Sequence, residues 1–403
     1  MIGLAFRNVV RQKIRTGMTL AAISFGVTAL ILAAGFIEDM FVQLGEAIIH
    51  SQTGHVQIFK SGFLEKGTRF PEQYLIDEPE KLAASIAEDR DVVTVSNRLY
   101  FAGLLNNGKR DLAVIGEGVE AAKEAQLGSF LSIVQGRQLA AEDTDGILIG
   151  QGVAQALAVK PGDKLTLVLN AAEGAMNTLD FTVTGVFQSF SKEFDARAIR
   201  IPLAAAQELL LTAGANQVVV LLHRTEDTEK ALGKISSRLV EQGFDVKSWR
   251  TLSDFYDKSV QLYKAQFGAL QLIILLMVLL SVVNSVNMSV FERQAEFGTM
   301  RAIGDRSARV LKLIVLESTL VGLIGAVLGM ALGCAMAALI SWIGIEMPPP
   351  PNANLGYVAS VRLSVTNVLL AGGVGFVATA LASIFPAVRA SRLDVVDALR
   401  QAV

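Results

Sequence analysis

Four long apolar runs divide the chain, and between them the hydrophobic pattern changes its period. The runs cover residues 18–37, 267–290, 313–343 and 365–388. About 20 apolar residues are enough for one helix to cross the hydrocarbon core of a bilayer. The first run is longer than the apolar part of a usual signal peptide, and it ends in Glu38-Asp39 without a small-residue cleavage pattern. The pattern therefore predicts four transmembrane helices, the first of them uncleaved.

The 38–266 segment has a different pattern, in which short apolar stretches alternate with turn signals, as is typical of a mixed α/β domain. Asn106-Asn107-Gly108 indicates a hairpin, and Pro161-Gly162-Asp163 indicates a turn. Residues 38–52 and 252–263 continue the first two runs as helices, so we expect two stalk helices. The predicted strands cover 55–59, 92–99, 111–115, 146–150, 164–169, 181–187, 198–201, 217–222 and 246–249, and the predicted helices cover 153–158, 204–211 and 228–242.

Basic residues predict the orientation of the four spans. They cluster in the 1–17 segment, in the 291–312 segment and in the 389–403 tail. With four spans, these three segments share one side of the membrane, which the positive-inside rule makes the cytoplasm. The 38–266 domain and the 344–364 loop then lie outside it. Four consecutive prolines in that loop form either a rigid spacer or a plain turn.

The 291–312 segment is short, charged and enclosed by two apolar runs. Within it, Phe297, Met300 and Ile303 recur every third residue, which places them along one side of a short helix. Gly304-Asp305 is a typical helix end. Such a helix lies on the lipid surface, fits its apolar ridge into a groove of another protein, or simply joins two spans through solvent.

Small and polar residues mark faces of the second and third runs. Gly325, Gly329 and Gly333 recur every four residues, a spacing that lets helix backbones approach closely in lipid. Asn284 carries an amide that needs a hydrogen-bond partner inside a membrane, so it should face protein. These residues form either a polar seam between two subunits or the ordinary packing of one bundle.

Composition narrows the function classes. The chain of 403 residues is 52% hydrophobic and only 18% charged, below the quarter or so of a soluble domain. A net charge of −2 argues against nucleic acid as a partner. Three scattered histidines and the lone Cys334 give no convincing metal site and no intrachain disulfide.

Motifs of the common catalytic classes are missing from the sequence. It contains no P-loop, no H-E-x-x-H, no C-x-x-C and no G-x-S-x-G. We therefore expect no catalytic residues, no metal and no cofactor bound by this chain. None of the four runs carries an acidic or basic residue at its centre, which argues against an ion-coupled pump or a channel.

Several stretches together resemble one family. ERQAEFGTMRAIG at 292–304 and FPAVRASRLDVVDALR at 385–400 are similar to the loop and the carboxyl end of FtsX/MacB/LolC-E-type permeases. The opening LAFRNVVRQKIRTGMTLAAISFGV resembles the basic start and first span of that family, and ILIGQGVAQALAVKPGDKLTL at 147–167 resembles its extracytoplasmic core domain. Val395 departs from the proline that is usual in the tail. The resemblance implies four transmembrane helices and a large extracytoplasmic mixed α/β, MacB-like core domain inserted between helices 1 and 2.

The resemblance also implies the machinery of a type VII ABC transporter. Two permease chains, identical or different, pair in the bacterial inner membrane, and a separate cytoplasmic ATPase dimer binds ATP and Mg²⁺. Membrane lipids surround the pair, a periplasmic adaptor or acceptor protein is a further expected partner, and both termini are cytoplasmic. The 291–312 segment corresponds to the coupling helix. Its residues in the family motif are Glu296, Phe297, Gly298, Met300, Arg301, Ile303 and Gly304.

The expected function is mechanical: ATP-driven movement of the coupling helix is transmitted to the outer domain, for lipoprotein release or for export of an amphiphile, drug or peptide. The alternative is a signalling scaffold that activates an extracellular cell-wall hydrolase. An apolar groove on the outer domain, lined for example by Phe101, Phe181 or Phe187, would favour lipid cargo. One hypothesis is that aspartate at Phe297 and Met300 uncouples ATP hydrolysis from transport.

Overall fold

The computed structural model describes residues 11, 13–67, 71–128, 131–170, 176–349 and 356–391. Three features of the sequence lie outside these residues: most of the basic amino terminus, the last two prolines of the 344–364 loop, and the tail motif beyond Ser391. The chain divides into two compact units. The first is built from Met1–Phe41, Ser259–Glu346 and Val358–Val403, and the second from Val42–Lys258 and Met347–Tyr357.

The elements of the described residues are as follows. The α-helices are α1 (Lys13–Ile48), α2 (Pro79–Ala87), α3 (Ala121–Leu127), α4 (Gln151–Leu157), α5 (Lys192–Asp195), α6 (Leu203–Leu210), α7 (Thr228–Leu239), α8 (Trp249–Leu252), α9 (Asp254–Glu292), α10 (Gln294–Ala302), α11 (Ser307–Ile343) and α12 (Val365–Ser391). The strands are β1 (Val56–Lys60), β2 (Val92–Asn106), β3 (Asp111–Val119), β4 (Ser132–Gly136), β5 (Gly146–Gly150), β6 (Lys164–Asn170), β7 (Met176–Gln188), β8 (Ala198–Pro202), β9 (Gln217–Leu222), β10 (Phe244–Ser248), β11 (Ile345–Met347) and β12 (Tyr357–Ala359). A π-helical turn, Ile49–Thr53, follows α1 directly.

Among the described residues, four helices are long and apolar enough to cross a membrane: α1, α9, α11 and α12. Within the first unit they pack through small and β-branched side chains, because in lipid close packing rather than hydrophobicity holds helices together. Many leucine side chains of α9, α11 and α12 are exposed instead, as are Met277 and Met288 of α9 and Met336 of α11. The buried core of this unit includes Ile23, Val27, Ile31, Val278, Val282, Val286, Val310, Ile314 and Ala387.

The second unit is organised around one mixed sheet with the strand order β10-β1-β9-β2-β3-β8-β5-β7-β4, and β6 pairs with β2 and β7. The strands β2 and β3 form the predicted hairpin, with Asn106 opposite Asp111 and Gly108 at a positive φ of 82°. Helices cover the sheet and bury two apolar clusters. The larger cluster includes Leu99, Phe101, Ile147, Ile149, Leu167, Phe181, Ile199 and Leu209, and the smaller includes Val56, Ile58, Val95, Val218, Val220 and Ile235.

The fold class predicted from the sequence is confirmed: four apolar helices accompany a mixed α/β domain inserted after the first of them. Two kinds of detail differ. The strands β2, β3 and β7 extend beyond the predicted 92–99, 111–115 and 181–187, because the added residues pair with neighbouring strands although some of them are polar. Helices α2 and α3 and strand β4 were not predicted, although Pro79 at the first turn of α2 is a typical helix start.

Candidate functional site

The site begins where the chain breaks between α9 and α10. Arg293 has φ −110° and ψ 15°, outside the helical region, and its carbonyl accepts the first hydrogen bond of α10 from the Phe297 amide at 3.0 Å. At the other end, the Gly304 amide donates to the Arg301 carbonyl and the Asp305 amide donates to the Met300 carbonyl, both at 3.0 Å. This pair of bonds is a Schellman motif, and Gly304 takes the positive φ of 109° that it requires. The predicted helix end at Gly304-Asp305 is confirmed.

The three apolar residues of α10 and its end do not share one environment. Phe297 is 3% exposed and packs in the core of the helical unit, whereas Ile303 is 83% exposed. Met300 is half-buried against the same core. The expectation of one outward ridge is therefore wrong for Phe297, because the helix turns that residue towards its own bundle. At the end of α10, Ile303 is a large apolar side chain left exposed.

A buried arginine fixes α10 to its neighbours, and this was not predicted. The Arg293 guanidinium donates to Glu317 Oε2 at 2.6 Å and to Glu296 Oε2 at 2.8 Å, and it lies 5.0 Å from the centroid of the Phe297 ring. Arg11 binds the second oxygen of Glu296 at 2.6 Å. The sequence signal was Glu317, a carboxylate near the start of an apolar run, which demands a cationic partner.

The charges of this network stabilise one another. Burial lowers the pKa of the Arg293 guanidinium, but its bonds to Glu317 and Glu296 have the larger combined effect, so its pKa lies above the ordinary value. Burial raises the pKa of Glu296, and hydrogen bonds from Arg293 and Arg11 outweigh that effect, so its pKa lies below the ordinary value. Both groups are therefore ionised at neutral pH.

The remaining residues of the coupling motif lie around this network. Gly298 is buried beside Phe297 in α10, Arg301 is half-buried, and Gly304 is exposed. The structure therefore brings Glu296, Phe297 and Gly298 onto the inner side of the segment. It leaves Ile303 and Gly304 at the surface.

The glycine row of α11 packs against α1 of the same chain. A Cβ at Gly325 would lie 2.9 Å from Ile23, one at Gly329 would lie 2.8 Å from the Ser24 carbonyl, and one at Gly333 would lie 2.9 Å from Ile31. The Ser24 hydroxyl donates to the Gly325 carbonyl at 3.0 Å. Of the two interpretations of this row, the contacts are those of packing within one bundle.

Asn284 belongs to a different kind of face. It is exposed on α9, together with Met277, Ser281, Met288 and Phe291. These positions follow one another at steps of four and three residues, which is the spacing of a helix–helix seam. The opposite side of α9 faces the core of its own unit. The Asn284 face is therefore a surface that the helical unit itself does not cover.

The outer domain does not offer the apolar groove that its phenylalanines suggested. Phe101, Phe181 and Phe187 are each no more than 2% exposed and belong to the cores of the sheet. The expectation that they line a lipid groove is wrong, because their side chains are buried in apolar clusters of the domain. A cavity of about 650 Å³ in this domain has a mixed lining, with charged residues such as Lys60, Glu78 and Arg238 beside apolar ones such as Leu82 and Phe244.

Comparison with known proteins identifies the family. Residues 16–238 match the MacB-like periplasmic core domain, and residues 268–395 match the FtsX-like permease C-terminal domain. The chain belongs to this family of permeases. The first match begins inside α1 and covers most of the second unit, and the second match begins inside α9 and includes α10, α11 and α12.

Relatives resemble this permease over nearly their whole length. The lipoprotein-releasing system transmembrane protein LolE of Haemophilus influenzae is 23% identical over 387 residues, 92% of this chain and 91% of that protein. The lipoprotein-releasing system transmembrane protein LolC of Neisseria meningitidis is 23% identical, with 96% and 94% covered. The uncharacterized ABC transporter permease MJ1507 of Methanocaldococcus jannaschii is 22% identical, with 99% and 97% covered.

A solved structure is also similar, the periplasmic region of MacB from Actinobacillus actinomycetemcomitans. Its identity to this permease is 15% and its TM-score is 0.38, over 52% of this chain and 95% of that one. Taken together, the family and the full-length relatives make the protein an ABC transporter permease of the LolC, LolE and MacB type, with four apolar helices that suit an integral membrane protein. Membership in this group implies an ATPase partner and a subunit that is not itself catalytic.

Proposed function

We propose that this permease couples ATP hydrolysis by a separate cytoplasmic ATPase to movement of its outer domain, and that the result is release of lipoproteins from the inner membrane. The observation that carries the coupling is the 291–312 segment. It joins two long apolar helices, it is fixed to α11 by Arg293, and it exposes Ile303. The proposed orientation places the segment and both termini in the bacterial cytoplasm and the 38–266 domain outside it, as the basic clusters indicate.

The geometry of the segment suits a force-bearing contact. Ile303 lies at the end of α10, where an ATPase groove would receive an apolar side chain. A push on Ile303 is passed along α10 to Arg293 and from there to Glu317 on α11, through bonds of 2.6–2.8 Å. Because this chain has no P-loop, ATP and Mg²⁺ are proposed to bind the partner alone.

Replacing Ile303 with aspartate tests the coupling contact. We expect the variant to fold and insert normally, because the side chain is exposed and makes little contact with its own chain. A charge in the apolar groove of the ATPase should weaken binding by one to two orders of magnitude, about 1.4–3 kcal/mol. The measurement is the amount of ATPase retained in a detergent pull-down, together with ATP-dependent activity in proteoliposomes.

Two controls sharpen this test. Ile303→Leu keeps an apolar side chain and should behave as wild type. Ile345→Asp introduces the same charge at another exposed isoleucine, the first residue of β11 just beyond the far end of α11, and should leave ATPase retention unchanged. Equal retention by Ile303→Asp and wild type would disprove the assignment. The Phe297→Asp change is unsuitable as a test, since it buries a charge in the helical core.

A second copy of this chain, or a related permease chain, is proposed to cover the Asn284 face. An exposed amide in the hydrocarbon region lacks water, so another protein helix is the natural source of its hydrogen bonds. The spacing of Met277, Ser281, Asn284 and Met288 supports a seam between two copies of α9.

Disulfide crosslinking tests this seam. In a chain whose native Cys334 is replaced by alanine, Ser281→Cys should crosslink two permease chains on mild oxidation of membranes. Ala338→Cys, exposed on α11 away from the seam, should not. If the partner is a different permease chain, a second cysteine at the matching position of that chain is needed, and the crosslinked product then has the mass of a mixed pair. Crosslinking through Ala338→Cys but not through Ser281→Cys would contradict the proposed seam.

Lipoprotein release is the more specific part of the proposal. It is supported by the full-length similarity to the LolE and LolC proteins named above. The test is a proteoliposome that holds the permease, its ATPase and a fluorescent triacylated lipopeptide. ATP should transfer the lipopeptide to a soluble acceptor, and Ile303→Asp should abolish the transfer. ATP-dependent activation of a cell-wall hydrolase without lipopeptide transfer would favour the signalling alternative.

A further inference from the structure

The carboxyl end of α1 and its π-helical turn are held by an unusually complete set of hydrogen bonds within the second unit. The last carbonyls of a helix have no partners in the helix itself. Here side chains or the Gly54 amide supply them. The donor–acceptor pairs are Ser51 Oγ to Ala47 O, Thr53 Oγ1 to Ile48 O, Gly54 N to Ile49 O, Arg200 Nη2 to Ser51 O, Arg98 Nη1 to Gln52 O and Gln57 Nε2 to Thr53 O.

Two of these donors belong to a buried charge cluster, which we call the quartet: Arg98, Glu117, Glu124 and Arg200. Arg98 is 1% exposed and binds both oxygens of Glu124, at 2.7 and 2.8 Å. Arg200 is 4% exposed and donates to Glu117 at 3.0 Å. Weaker contacts at 3.4 and 3.6 Å join the two pairs into one network.

The quartet is balanced in formal charge, with two arginines and two glutamates. Burial raises the pKa of Glu124, but the adjacent guanidinium groups of Arg98 and Arg200 overcome that effect, and the net pKa is below the ordinary value. Two cationic groups at the carboxyl end of a helix also complement the negative end of its dipole. Because apolar residues of similar volume often stabilise a fold as well as a buried ion pair does, the quartet needs a further explanation.

The position of the quartet in the sheet provides that explanation. Arg98, Glu117 and Arg200 lie on β2, β3 and β8, three neighbouring strands in the middle of the sheet, and Glu117 and Arg200 are directly opposite in register. The covalent path from α1 is different. It passes Gly54, which is buried and has a positive φ of 63°, and enters β1, the second strand from an edge.

We propose that the quartet is the joint through which an axial movement of α1 reaches the centre of the sheet, with Arg98 and Arg200 acting as positioning residues on the carbonyls of Gln52 and Ser51. Without the joint, the same movement enters near the edge, through a glycine. This inference rests on the proposed function, since it assumes that nucleotide binding by the partner moves α1.

Hydrogen exchange on the full permease with its ATPase in nanodiscs tests the joint without any cargo. Exchange is compared in the absence of nucleotide and after trapping with ATP and vanadate. In wild type we expect nucleotide-dependent changes both in α10 and in residues 92–124. In R98M/E124Q and in R200M/E117Q, each of which removes one charge pair and one carbonyl contact, the α10 change should persist and the 92–124 change should be lost.

Controls distinguish a quartet that transmits movement from one that only stabilises the fold. R137M/D143N removes an exposed two-bond ion pair of the same domain and should leave both responses intact. If a double variant loses protection throughout the domain, R98K decides the matter, because lysine keeps the charge but cannot hold Glu124 and Gln52 together. A full 92–124 response in R98K or in a folded double variant overturns the joint and leaves the proposed function standing. Absence of any α10 response in wild type overturns the proposed function, and the joint with it.

Discussion

Replacing Arg293 with alanine should destabilise the helical unit by about 3–5 kcal/mol, the usual cost of removing one partner from a buried ion pair. Glu317 would lose its 2.6 Å bond while staying mostly buried, with 12% of its side chain exposed. Glu296 would lose one of its two arginines, and Phe297 its stacked guanidinium. The measurement is unfolding of the full chain in mixed micelles, followed by circular dichroism.

The controls for Arg293→Ala use the same region. Arg309→Ala removes a surface pair with Asp305, where the arginine is 61% exposed, and should cost at most about 1 kcal/mol. R293M/E317L removes both buried charges together and should recover most of the lost stability, because neither charge is then left unpaired. If Arg293→Ala and Arg309→Ala cost the same, the buried network contributes nothing beyond a surface pair.

Features that depend on neighbouring residues in the sequence could be predicted from it. The four spans follow from unbroken apolar runs, the β2–β3 hairpin from Asn106-Asn107-Gly108, and the end of α10 from Gly304. Each of these depends on neighbours in the sequence, through backbone conformation or the length of an apolar stretch. The family motif likewise located the segment that joins α9 and α11.

The buried face of a helix or strand was harder to predict where more than one of its faces could be buried. Phe297, Met300 and Ile303 have the spacing of one ridge, but the break at Arg293 rotates α10 so that Phe297 enters the bundle. The same limit applies to Arg98 and Arg200. In the sequence each is a polar residue in a strand. Only the pairing of β3 with β8 places Glu117 opposite Arg200, and only the folding of α3 onto β2 places Glu124 beside Arg98.

His55 gives the second large prediction: acid should destabilise the outer domain through this one residue. The ring is 1% exposed and neutral, with Nδ1 accepting the Leu222 amide at 3.1 Å and Nε2 donating to the Thr225 hydroxyl at 3.0 Å. Burial and the nearby His50 lower the pKa of His55 to about 4, although Glu46 opposes them. Unfolded histidine has a pKa near 6.5, so between about pH 6.5 and pH 4 the unfolded chain binds a proton that the folded chain refuses.

The linkage then requires stability to fall as the pH falls through that window, by about 2 kcal/mol at pH 5 and about 3 kcal/mol below pH 4. Stability above pH 6.5 is unaffected by this group.

Trp249 is 3% exposed and in the same unit, so in a Trp342→Phe background its fluorescence follows denaturation of the full chain at each pH. His55→Asn keeps an acceptor for the Leu222 amide and should flatten the slope between pH 6.5 and 5, whereas His223→Asn, at an exposed position, should not. An equal slope in wild type and His55→Asn would mean that carboxylates, and not this imidazole, account for the acid sensitivity of the domain.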